Sequence, residues 1–148
     1  MLQAIHSVTL YVHNQTEAVR FYKETLGFEI RRWEALGPAG SWIEMAPPGA
    51  ATTIVLYPRA MMPDAQSRKA FVIFDVEDMT ATHEALTARG VTFVQEPGSL
   101  GWGMFAVFAD PDGNEIGILQ VTRAATVPSV RSSRPPSGRP PPPPPPRK

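Results

Sequence analysis

The stretch Phe108–Gln120, FADPDGNEIGILQ, decides how the rest of the chain is read. Asp110, Pro111, Asp112, Gly113 and Asn114 combine a preset φ, side chains that cap nearby backbone groups and a residue tolerant of positive φ. Together they predict a tight reversal between two strands. In the strand that follows, Ile116 and Ile118 point to one face while Glu115, Gly117 and Leu119 point to the other. Gly117 gives up packing and backbone entropy inside that strand, so either something approaches closely on its face or a side chain has been removed there.

Working outward, His6 to Val12 alternates as a strand, with Val8, Leu10 and Val12 on one face and Ser7, Thr9 and Tyr11 on the other. Asn14 predicts a helix N-cap, with Glu17 three residues later in a capping-box position. The helix runs to about Leu26 on a stripe of Ala18, Phe21, Tyr22 and Leu26, and Gly27 ends it. Strands are expected at 28–33, 41–45 and 52–57. After an irregular stretch at 59–69 the same order restarts: a strand at 70–76, a helix capped by Asp78 and stopped by Gly90, then strands at 91–95, 104–108 and 115–119. The glycine-rich run 98–103 reads as a mobile loop bearing Trp102 as an aromatic lid. Val12 and Val76, Asn14 and Asp78, and Thr16 and Thr80 are each 64 residues apart. The chain is therefore α+β, with two tandem βαβββ units that bury each other's sheets: unit one at 1–58, a linker at 59–69 and unit two at 70–121.

Composition narrows the function classes. A chain of 148 residues with a hydrophobic share of 43% supports one packed domain. It holds no apolar run of about 18 residues and no charged, apolar, small-residue leader, so no membrane partner is expected and a cytoplasmic location is the default. The absence of cysteine removes disulfides, thiolate metal sites and cysteine nucleophiles. Six of the 14 basic residues follow Gln120, leaving eight against 14 acids in the body, a poor balance for nucleic acid. Residues 122–148 turn to Pro, Ser and Arg and end in a proline run, which reads as a disordered tail and resembles ligands of polyproline-recognising domains.

The duplicated unit, with YVHNQTEAVRFYKETLGFEI at its first helix and FADPDGNEIGILQ at its last hairpin, resembles the vicinal oxygen chelate superfamily. That superfamily holds glyoxalases, bleomycin resistance proteins and extradiol dioxygenases. The resemblance implies an eight-stranded mixed-sheet cleft or incomplete barrel with helices outside, a small-molecule pocket and, in many members, a divalent metal. It also implies four metal-ligand positions, which fall here on Ser7, Val55, Phe71 and Gly117. Three of these offer no side-chain donor and a lone serine is a weak ligand, so no metal or other cofactor is expected.

The expected function is therefore small-molecule binding without a catalytic metal, with an apolar or aromatic ligand in the sheet cleft. The alternative is a metal-dependent lyase, isomerase or dioxygenase with atypical ligands such as His6, Glu44 and Glu115, and whether any reaction is catalysed stays open. Strand alternation assigns Ser7, Thr9 and Tyr11, and likewise Thr53, Val55 and Tyr57, to the pocket wall from unit one. From unit two come Phe71 and Ile73, then Glu115, Gly117 and Leu119, with Trp102 and Met104 joining according to register. Glu115, Asp75 and Tyr11 are the candidates for metal-free proton transfer. Parity places His6 with Val8 and Leu10 under the helix, and His13 in solvent. A homodimer is among the expected assemblies.

Overall fold

The structure, a computed structural model, describes residues 1–122. Two four-stranded mixed sheets form from two runs of four strands, and they remain open rather than closing into a barrel. Strands β1 (Ser7–Val12), β2 (Glu29–Ala35), β3 (Ser41–Ala46) and β4 (Thr53–Pro58) assemble in the order β1-β4-β3-β2. Strands β5 (Val72–Asp75), β6 (Phe93–Ser99), β7 (Gly103–Ala109) and β8 (Glu115–Val121) repeat it as β5-β8-β7-β6. In each sheet the first and last strands pair in parallel, across the helix-bearing connection that such pairing requires.

The helices begin where their capping residues stand. Asn14 accepts from the Glu17 N–H at the start of α1 (Gln15–Arg20), and Asp78 accepts from the Ala81 N–H at the start of α2 (Met79–Ala88). Beyond Arg20 the helix continues as a π-helical turn, Phe21–Thr25. Pro97 and Gly98 lie within β6 because this strand is an edge, where a missing N–H and bulges are tolerated. Only Leu100 to Trp102 then separate β6 from β7, and the Leu100 N–H donates to the Gly103 carbonyl at 2.8 Å. The expected aromatic-tipped loop is thus a tight strand reversal.

One core serves both units. Leu10, Val12, Ile43, Met45, Ile54 and Leu56 from the first sheet join Ala106, Phe108, Ile116 and Ile118 from the second, with Ala18, Tyr22, Met79 and Leu86 from the helices. Each such side chain, taken fully out of water, contributes about 1.5–3 kcal/mol before entropy is counted. Phe21 stacks near Phe108 and Phe28 near Phe74, so the first helix and its exit pack on the helix-facing side of the second sheet. The opposite side of each sheet lies outside this core.

The DPDGN turn clasps the units together. Gly113 adopts φ 79°, as the turn chemistry requires. Buried Asp110 accepts on one oxygen from the Asp112 and Asn114 N–H groups and on the other from the Tyr22 hydroxyl and the Asn114 amide. Asn114 also donates to the Tyr11 carbonyl, and the His13 N–H donates to Asp112 at 2.7 Å. Burial, then the Asp110 charge, pushes the Tyr22 phenol well above its ordinary pKa, so Tyr22 is a fixed donor. Burial likewise raises the Asp112 carboxyl despite the bond from His13.

Candidate functional site

Each sheet presents one face to the shared core and one concave face away from it, and the two concave faces differ in chemistry. On the first sheet a bulge between Ile30 and Arg32 shifts the register so that Arg32 pairs with Glu44, which pairs with Val55, beside Thr9. Glu44 is 3% exposed. One of its oxygens meets His6 Nε2 at 2.7 Å and accepts from Thr53 Oγ1 at 3.0 Å, and the other meets Arg32 Nε at 2.9 Å. Burial alone would raise the Glu44 carboxyl; hydrogen bonds from Thr53, His6 and Trp42, with the His6 charge, outweigh it and hold the carboxyl below its ordinary range. Alongside runs an aromatic row in which Tyr57 makes edge contacts with both Trp42 and Tyr11 at 6.1 Å.

The second concave face is apolar. Gly117 pairs with Ile73 on one side and Val107 on the other, in the middle of the sheet. A Cβ on Gly117 would meet Ile73 Cγ1 at 3.0 Å and the Phe105 ring at 3.1 Å. Of the two readings of this glycine, a close approach or a removed side chain, the structure supplies the first, from Phe105 and Ile73. On the same face, Phe71 and Phe105 come to 6.4 Å between ring centres. Phe71 and Ile73 are 51% and 50% exposed, so half of each large side chain faces outward with none of the described residues over it.

The expected wall residues thus fall on two surfaces. Ser7, Thr9, Tyr11, Thr53, Val55 and Tyr57 share the first concave face, where Val55 is fully buried under its neighbours. Ile73, Gly117 and Leu119 share the second, with Phe71 and Glu115 at one end. Trp102 stands exposed at the β6–β7 reversal. Met104 is corrected: it pairs with Gln120 and packs against the core, because β7 turns Phe105 and Val107 inward instead. Asp75 aligns with Leu119 and Glu115 precedes Ile116, about 13 Å away along the strand at 3.3 Å per residue. Neither Glu115 nor Asp75 is brought beside Tyr11 by any hydrogen bond.

His6 is also corrected. It precedes the first paired strand position, so alternation does not bind it, and its imidazole swings to Glu44 with a side chain 76% exposed. His13, expected in solvent, contacts Arg59 Nη1 through Nε2 at 3.2 Å. His83 bonds Glu96 and packs on Phe93, a boundary position as its helix stripe suggested. Sequence reasoning missed Arg32, whose inward aim depends on the bulge, and Phe105, whose partner signal was the glycine itself.

The metal positions of the resemblance do not fit a metal here. Val55 and Phe71 carry no donor, Gly117 lies beneath Phe105 and Ile73, and the four positions divide between two sheets. Among the described residues no three His, Asp or Glu side chains gather as a metal-holding group. No helix of the described residues is long and apolar enough to cross a membrane.

Two tandem βαβββ units sharing one core, with open concave sheet faces, define the class of duplicated glyoxalase-like proteins. The chain belongs to the Glyoxalase/Bleomycin resistance protein/Dioxygenase superfamily, whose family model matches residues 4–118. It is 42% identical over 114 residues to the uncharacterized protein YetH of Bacillus subtilis (strain 168), covering 77% of this chain and 95% of that one. Among solved structures, a member of the same superfamily from Sphaerobacter thermophilus DSM 20745 is 31% identical, with a TM-score of 0.74 over 80% of this chain and 98% of that one. TnmS3, an antibiotic binding protein from Streptomyces sp. CB03234, is 32% identical, with a TM-score of 0.69 over 82% of this chain and 98% of that one.

Proposed function

We propose that this protein is a cytoplasmic small-molecule binding protein that takes an apolar or aromatic ligand on its concave faces and works without a catalytic metal. The observation that carries the reading is the second face: Phe71 and Ile73 stand half exposed on a floor where the family's ligand positions offer no donor. A flat apolar molecule laid on Phe71, Phe105 and Ile73 would remove that area from water, and edge contacts to the rings would orient it. The likeness to an antibiotic binding protein supports the ligand class. A homodimer, in which a second copy supplies the opposing wall, is the assembly we propose for closing so open a face.

A thermal-shift screen with aromatic antibiotics, dicarbonyls, catechols and divalent metals tests the proposal, since a ligand that binds the native state raises apparent stability by mass action. We expect stabilisation by aromatic compounds that survives EDTA. Stoichiometric Ni, Zn, Fe or Mn in protein purified without chelator, together with stabilisation that chelation abolishes, would overturn it. Light scattering at sizing concentration checks the assembly, with twice the chain mass expected.

A further inference from the structure

A pocket of about 490 Å³ opens where the linker meets the clasp, bounded by Arg59, Gln66, Arg68 and Lys69 on one side and by Asp112 to Glu115 on the other, with Phe71 in its wall. The charges on the linker side are incompletely paired. Arg68 is held by both oxygens of Asp64 at 3.0 Å, with the Tyr11 phenol beside it. Arg59 has no ion-pair partner among the described residues; its Nη1 meets only the His13 ring, and its buried Nε has no acceptor. Lys69 has none either. On the facing side, Asp112 is committed to the His13 N–H and Glu115 is exposed and, among the described residues, unpaired.

We infer that this pocket is an oxyanion subsite, which anchors a carboxylate or phosphate group of a ligand whose apolar body lies on Phe71. Arg59 and Lys69, without a matching acid among the described residues, attract an oxyanion beside the Arg68–Asp64 pair, and a guanidinium fork suits its paired oxygens. Glu115 across the pocket repels the same group, so the anion is driven toward Arg59, Arg68 and Lys69, and the body toward Phe71. The inference rests on the proposed reading of the apolar face and adds to it a charge requirement and an orientation.

Calorimetric titration with 2-naphthoate, 2-naphthyl phosphate and uncharged 2-naphthamide tests it on the full chain. At least one of the two anions is expected to bind about tenfold tighter than the amide at low salt, with the advantage shrinking as salt screens it. The relative affinity of the two distinguishes a carboxylate from a phosphate ligand. Arg68→Met/Lys69→Met is expected to abolish the advantage while leaving amide affinity unchanged, and Glu115→Gln to enlarge it about twofold. Arg59→Met is expected to weaken the advantage as well; should it fail to fold, the exposed double variant carries the test alone. Equal affinity for anion and amide, an advantage that survives the double variant, or no binding of either anion would overturn the subsite. Amide binding that is lost in Phe71→Ser would in that case still uphold the apolar face.

Discussion

The two concave faces share one strand order and have opposite chemistry. In the first, a buried carboxylate collects His6, Thr53 and Arg32, and its polar groups satisfy one another. In the second, Phe71 and Ile73 stand half exposed beside a glycine and the partly buried Phe105, with no polar group among the described residues bonded to them. Duplication repeats what the core needs, the helix-facing side of each sheet and its capped helix, and leaves the outward side free to diverge. A face that meets its own needs is a wall; a face that does not is where a ligand gains most by binding.

The comparison presumes that one core holds both faces, and the largest expected effect comes from loosening it. Asp110→Ala strands the Tyr22 hydroxyl and two turn N–H groups, and should cost about 3 kcal/mol or more, read from the urea midpoint. Next comes the first face. Glu44→Gln should cost about 1–3 kcal/mol at neutral pH, because Arg32 loses its counter-charge and the bonds to His6 and Thr53 lose a charged acceptor. Its pH signature is more specific. A carboxyl held below its ordinary value of 4.5 stabilises the fold fully above that pH and loses the contribution as pH falls through its lowered value. Wild-type melting temperature should therefore fall more steeply with acid below about pH 4.5 than that of Glu44→Gln.

On the second face, Gly117→Ala pushes against Ile73 and Phe105, side chains with room to shift outward, so a cost below about 1 kcal/mol is expected. Gly117→Glu cannot be accommodated beneath the Phe105 ring and should release that ring, seen as altered Phe105 aromatic resonances in NMR. Phe71→Ser should cost about 1 kcal/mol, half of what a fully buried side chain gives up, because half of that side chain already faces water. A large loss on that substitution would show that Phe71 belongs to a core and would erase the contrast between the faces.

Much of this contrast was legible in the chain, for reasons that differ by residue. Asn14 and Asp78 announced both helices because a capping side chain acts on a backbone N–H three residues away. The 64-residue repeat announced the duplicated fold because each unit must bury the same face. Gly117 announced a close approach or a missing side chain, without naming Phe105. What remained hidden depends on departures from regular alternation: the bulge that aims Arg32 at Glu44, the strand end that frees His6, and the parity that sends Met104 into the core. The relation between the faces was also hidden, since alternation tells which residues share a side of a strand but not which sides of two sheets share a core. The Pro-rich tail and its expected partner lie outside the described residues.

The central claim is that the half-exposed floor of the second sheet, and no metal, holds the ligand. The most direct measurement is the ligand-induced rise in melting temperature, with EDTA present, for wild type and for Phe71→Ser/Ile73→Ser, using an aromatic compound that stabilises the wild type. The account predicts that the rise persists in EDTA and disappears in the double variant, while the unliganded variant still unfolds in one cooperative transition. A rise that survives both substitutions, or one that vanishes with EDTA in the wild type, would contradict it.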